Sequence, residues 1–170
     1  MTPALHPEPS PVRVLIVDDE PTVLMSMRET LRHEGYVIVA AAGPREALAL
    51  AREQEFAVVL SDQQMPALTG IEFLTKVKEL RPETVRILVS ALPTAELALE
   101  AINQAEIFRF ITKPWERREL VDGVREAVTR FKDLMDNRLR VVKLKALNET
   151  LTRLTQALQQ QLDDERARKP

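Results

Sequence analysis

The 170-residue chain contains no cysteine, which excludes disulfides, thiol catalysis and cysteine-based zinc sites. Histidine is almost as scarce. His6 falls in a Pro-rich tail and His33 on a helical stretch, so no His-based metal site is expected. Neither sign of charge dominates: 24 Lys and Arg stand against 26 Asp and Glu, a net charge of −2. That balance gives no overall footprint for nucleic acid or an anionic membrane. No apolar run reaches the ~20 residues that span a bilayer. The opening "MTPALHPEPSP" lacks the basic start and apolar core of a signal peptide. A cytoplasmic chain follows, with no membrane partner and no direct nucleic-acid partner. Glycine is scarce too, four in all, and no Gly-rich loop follows the first apolar run.

Hydrophobic residues make up 45% of the chain, enough for a core. Residues 1–11 are expected to be a disordered arm. From Val12, strand and helix signals alternate five times. "VRVLIV" precedes a helix beginning "PTVLM" and closed by Gly35, a good residue just past a helix end. "YVIVAA" precedes a helix opened by Pro44. "FAVVLSD" leads through "QQMPALTG" into a helix stopped by Pro82. "VRILVS" precedes a fourth helix, "TAELALEAINQA", and "FRFI" precedes the last. Runs one, three and four are almost continuously apolar, as in a parallel sheet covered on both faces. The expected fold is α/β, a doubly wound five-stranded parallel sheet of flavodoxin-like order 2-1-3-4-5.

The helical pattern continues past Trp115 to the end of the chain. Leu144, Leu147, Leu151, Leu154 and Leu158 recur at three and four residues, the a/d spacing of a coiled coil. Val124, Ala127, Phe131, Leu134 and Val141 fit a second heptad register, and the step from Val141 to Leu144 is one residue short. About 50 helical residues extend roughly 75 Å, too far for a lone helix to keep its leucines from water. A domain over 12–130 and a parallel, homodimeric coiled coil over 131–168 are expected.

The run "VRVLIVDDEP" ends in two adjacent carboxylates. One could cap the next helix, yet mutual repulsion needs an offset. In an open parallel sheet, ligands bind beyond the carboxyl ends of the strands near the point where strand order reverses. There the pattern gathers Asp18 and Asp19 after strand one, Asp62 ending strand three, Ser90 ending strand four and Lys113 after strand five. Three close carboxylates call for cations. Lys113 supplies one charge. Mg²⁺, which takes one or two carboxylates and keeps several waters, fits the remainder. Acids where a nucleotide fold places glycines argue against nucleotide or flavin. A carboxylate beside a metal and a lysine can act as nucleophile toward phosphorus.

The acidic pair, "SDQQMPALTG", "LVSA" and "FRFITKPW", in this order and spacing, resemble the receiver domains of two-component response regulators. The resemblance covers residues 12 to about 130. It implies that Asp62 accepts a phosphoryl group from a sensor histidine kinase. It also implies that Asp18, Asp19, Asp62 and the backbone carbonyl of Gln64 hold Mg²⁺. Ser90 and Lys113 would meet the phosphoryl group, Pro114 would follow Lys113 through a cis peptide, and Phe110 would be the switch aromatic. The chain is then not an enzyme beyond transfer to itself. Its coiled coil would relay the change to an output domain, and the ending "DDERARKP" suggests part of a longer protein. Two other readings remain: a scaffold that dimerises without phosphate, and a metal-dependent phosphatase, which would want a general acid where Gln63 and Gln64 stand.

Overall fold

The computed structural model describes residues 11–167. Nearly all of the expected arm, and residue 168 of the expected coiled coil, lie outside the described residues. Five strands alternate with helices: β1 (Arg13–Val17), α1 (Pro21–Leu31), β2 (Val37–Ala41), α2 (Pro44–Glu53) and β3 (Val58–Asp62). Then follow α3 (Gly70–Leu80), β4 (Val85–Ser90), α4 (Ala95–Glu100), a π-helical turn (Ala101–Ala105), β5 (Arg109–Thr112) and α5 (Arg117–Ala167). All strand pairs are parallel, in the order β2-β1-β3-β4-β5. The chain divides into two compact units, one ending at Lys132 and the other beginning at Asp133.

Burial follows the apolar runs. Every residue of β3 and β4 is buried, as central strands with helices on both faces require. Ile71, Phe73, Leu74 and Val77 of α3 join Leu15, Val59 and Leu88 in one core. Pro21 and Pro44 open α1 and α2, where a missing N–H costs nothing. Thr69 opens α3 reciprocally: its hydroxyl accepts from Glu72 N, and its own N–H donates to the Glu72 carboxylate.

Three local expectations need correction. First, α1 ends at Leu31 rather than at Gly35, which occupies the left-handed region (φ 75) in the turn beyond. Glycine was serving the turn, not the helix end. Second, the heptad spacing that starts at Val124 and Ala127 is not one continuous seam: both are fully buried in the first unit with Leu120 and Val121, inside the expected 12–130 domain. That spacing belongs to the stripe α5 contributes to the globular core. Third, the fourth helix is not regular. None of the α4 residues is buried, whereas Ala101 and Ala105 of the π turn are completely so.

Arg86 accounts for the π turn, and the sequence offered no reason to single it out. Its guanidinium is buried within β4 and surrounded by carbonyls. Nε donates to Ala105 O (2.7 Å), Nη1 to Thr84 O (2.6 Å) and Pro82 O (3.2 Å), and Nη2 to Glu106 O (3.3 Å). Lys78 Nζ takes Gln104 O at 2.6 Å. Two cations thus collect the unpaired carbonyls at the end of the α4 segment, where the helix dipole also favours positive charge. Burial lowers the Arg86 pKa and the nearby Glu106 carboxylate opposes that. Replacing Arg86 by Met strands several buried carbonyls, at an expected cost of about 3 kcal/mol in urea unfolding. Amides of residues 101–106 should gain hydrogen exchange before the rest of the fold.

Candidate functional site

The parallel register delivers the site. Val17 pairs with Ser61, Asp62 with Val89 and Ser90 with Thr112, so β1, β3, β4 and β5 end at one level. Asp18 is fully buried just past β1, and Asp62 is 5% exposed at the end of β3. Lys113 Nζ lies 2.7 Å from Asp18 Oδ2 and 2.6 Å from Asp62 Oδ1, bridging them. The remaining oxygens are also engaged. Asp18 Oδ1 accepts from Glu20 N (2.8 Å), and Asp62 Oδ2 from Gln64 N (2.7 Å). Burial pushes the Lys113 amine down. Its hydrogen bonds to Asp18 and Asp62, reinforced by their charges, push it up and together prevail, so its pKa stands above the ordinary lysine value.

Around this centre the other expected residues take distinct places. Asp19 and Gln64 are exposed beside it. Ser90 is buried, and its hydroxyl accepts from Leu92 N at 3.2 Å. Its carbonyl accepts from Lys113 N (2.8 Å), tying β4 to the lysine's own backbone. The Lys113–Pro114 peptide is cis. Phe110 is half-buried and packs on the core, neither fully inside nor outside. Arg109 leaves the centre and pairs with Glu126 of α5.

Two further residues shape the site without any side-chain chemistry. A Cβ on Gly70 would fall 2.3 Å from Asp62 O and 2.9 Å from Gln63 Cα, so α3 can approach the end of β3 only as glycine. Ala67, in the loop between, adopts φ 75, an unfavourable region for a residue with a Cβ. Beside Lys113 opens a cleft of about 460 Å³ lined by Thr22, Val23, Ser26, Ala91, Pro114 and Trp115. Trp115 is therefore a wall of the cleft beside the site.

Does this donor set fit a divalent cation? Among the described residues, no three acidic or histidine side chains converge as a closed cage. Asp18 and Asp62 are turned toward Lys113 instead. Yet three carboxylates against one ammonium leave two negative charges in excess, with Asp19 and Gln64 open to water. Mg²⁺ demands few protein ligands and retains its waters, so an open, acidic half-site suits it better than a cage.

The Response regulator receiver domain family model matches residues 14–125. The chain belongs to the receiver family. Over 115 residues this receiver is 44% identical to the hydrogenase transcriptional regulatory protein HoxA of Cupriavidus necator, covering 68% of this chain and 24% of that protein. It is 32% identical over 125 residues to the transcriptional regulatory protein PdtaR of Mycobacterium tuberculosis, covering 73% and 60%. The chain thus spans about a quarter of HoxA. A CheY-like response regulator receiver structure from Methanospirillum hungatei superposes with a TM-score of 0.69 at 32% identity, over 73% of this chain and 98% of that one. Receiver domains serve two-component signalling, and the expected fold and family both hold. Among the described residues no helix is long and apolar enough to cross a membrane.

Two outcomes test the geometry. Gly70→Ala should destabilise the receiver by about 1–3 kcal/mol through overpacking against Asp62, read by thermal or urea unfolding. Lys113→Met should cost stability because it leaves two buried carboxylates without their cation. The sign with pH follows from the raised folded pKa. The lysine's contribution is complete below its unfolded value of about 10.4 and fades as pH climbs through the higher folded value. The stability gap between wild type and variant should be flat from about pH 7 to 9 and shrink only in stronger alkali.

Proposed function

We propose that the receiver takes a phosphoryl group on Asp62 from a sensor histidine kinase, and that a dimeric α5 coiled coil relays the change to an output domain. The observation that carries this is the Asp62 carboxylate, seated at the mouth of the sheet with a lysine on one oxygen. An Asp62 oxygen forms the new bond to phosphorus as the bond to the donor's imidazole nitrogen breaks, the electron pair leaving with that nitrogen. Lys113, already in place, neutralises charge on the transferred oxygens. When bound, Mg²⁺ supplies further neutralisation there, and Asp18, Asp19, Asp62 and the Gln64 carbonyl would hold it. Ser90 releases Leu92 N and turns its hydroxyl to the phosphoryl group. Phe110, half-buried at the outset, moves into the space vacated.

The responding element is α4. None of its residues is fully buried ahead of the anchored π turn and Leu97 packs on the core only in part, so a small input at Ser90 can move it cheaply. HoxA and PdtaR are named as transcriptional regulators. For this chain we assign the kinase as direct partner and no direct nucleic-acid contact, in keeping with its net charge of −2.

Incubation with Mg²⁺ and a small-molecule phosphodonor, followed by intact mass, should show a labile phosphoryl adduct. Asp62→Asn should abolish it, and so should a chelator. An adduct of equal yield on Asp62→Asn would sink the assignment. Ser90→Ala should keep the adduct but lose the accompanying change in hydrogen exchange across residues 91–100. The exposed leucines of α5 favour one second reading, a dimer indifferent to phosphate. Dimer affinity that is identical with and without the adduct would select it.

A further inference from the structure

One residue joins the cleft of about 460 Å³ to the carboxylate centre. Lys113 lines the cleft, and its Nζ lies 2.6 Å from Asp62 Oδ1. The other lining residues are of two kinds. Val23, Ala91, Pro114 and the half-buried Trp115 are apolar walls, whereas Thr22 and Ser26 of α1 bring exposed hydroxyls. None of the lining side chains is acidic. An apolar cleft of this size with a few polar groups at its rim has the character of a small-molecule site.

We infer that this cleft receives the leaving group of the phosphoryl donor, a planar nitrogen heterocycle of the imidazole class, and that Trp115 is the residue selecting a ring. The inference rests on the transfer to Asp62 proposed above and adds what the donor carries beyond phosphorus. Position is the first argument. A displacement at phosphorus sends the departing atom away from the attacking oxygen. Asp62 does not line the cleft, but Lys113, in contact with Asp62, does. The cleft thus begins one contact beyond the attacking oxygen, which is where room for a departing group is needed.

Charge is the second. Asp18, Asp19 and Asp62 outnumber Lys113, so the centre carries excess negative charge. A carboxylate released from an acyl phosphate would add to that excess, and a group that departs neutral would not. An N-phosphoimidazole protonated on its second nitrogen meets this condition. The bond from an Asp62 oxygen to phosphorus forms, the P–N bond breaks, and its electron pair stays on nitrogen as neutral imidazole, with no further proton required. Surface is the third. Before departure the ring is cationic, and the indole face of Trp115 attracts a planar cation. A hydroxyl of Thr22 or Ser26 can accept from the ring N–H. The cleft has room for the ring together with the side chain that bears it.

Two donors isolate the ring. N-phosphoimidazole and phosphoramidate both break a P–N bond, but the first releases a ring and the second ammonia. Adduct formation on the full chain is followed by intact mass in buffer with Mg²⁺, and the readout is the rate with phosphoimidazole divided by the rate with phosphoramidate. Trp115→Ala should lower this ratio by roughly three- to tenfold, the worth of one aromatic contact. Trp115→Phe, which keeps a flat face, should hold the ratio within about twofold of wild type. Ser26→Phe fills the cleft from α1, away from the carboxylates, and should lower the ratio as well. Adduct from both donors with the ratio unchanged in Trp115→Ala would overturn this inference and leave Asp62 as the acceptor. Equal loss of both rates would overturn it too, marking Trp115 as a support of the fold. No adduct on the wild type from either donor would overturn the transfer to Asp62, and this inference with it.

Discussion

One ammonium group sits between two buried carboxylates, and the functional end of this molecule is arranged around it. Lys113 follows the last strand, Asp18 follows the first and Asp62 ends the third, so a single Nζ ties together segments 95 residues apart in sequence. Removing two carboxylates from water is expensive unless a cation shares the burial. The lysine satisfies both and is itself held charged by them. Everything that fixes the level of the strand ends, including the parallel register and the glycine that lets α3 close on Asp62, serves this contact.

The same logic of cations meeting oxygens recurs at the opposite end of β4. Ser90 ends that strand at the carboxylate centre, and Arg86, four residues earlier, gathers the carbonyls of the π turn and its flanks. One strand therefore touches both the site and the anchor of α4. Between them α4 is short, without buried side chains and capped by Thr94, whose hydroxyl accepts from Leu97 N at 3.1 Å. The segment is thus fixed at its C-terminal end, and elsewhere only Leu97 and Ala98 are partly buried, Leu97 against the core.

Much of this was legible beforehand, for definite reasons. Continuous apolar runs separated by helical periods leave a parallel sheet as the economical solution, and right-handed crossovers then fix which strand ends adjoin. Asp18, Asp62, Ser90 and Lys113 could thus be brought together from spacing alone. The misreadings share a cause. Gly35 was credited to a helix end because glycine serves turns and helix ends alike. Val124 and Ala127 fit one heptad register with Phe131, Leu134 and Val141 because a core-facing stripe and a seam share nearly the same period. Arg86 carried no signal, since a buried arginine is recognisable only by the carbonyls that surround it.

Sequence by itself determined the fold, the strand order and the residue types gathered at the sheet's end. These follow from local periodicity and chain handedness, which are short-range properties. Tertiary structure alone decided that Lys113 engages both carboxylates and that Phe110 rests half-buried. It alone converted the end of the fourth helix into a π turn around Arg86. Those outcomes depend on which polar groups find partners once water is excluded, and that balance exists only when distant segments are already packed together.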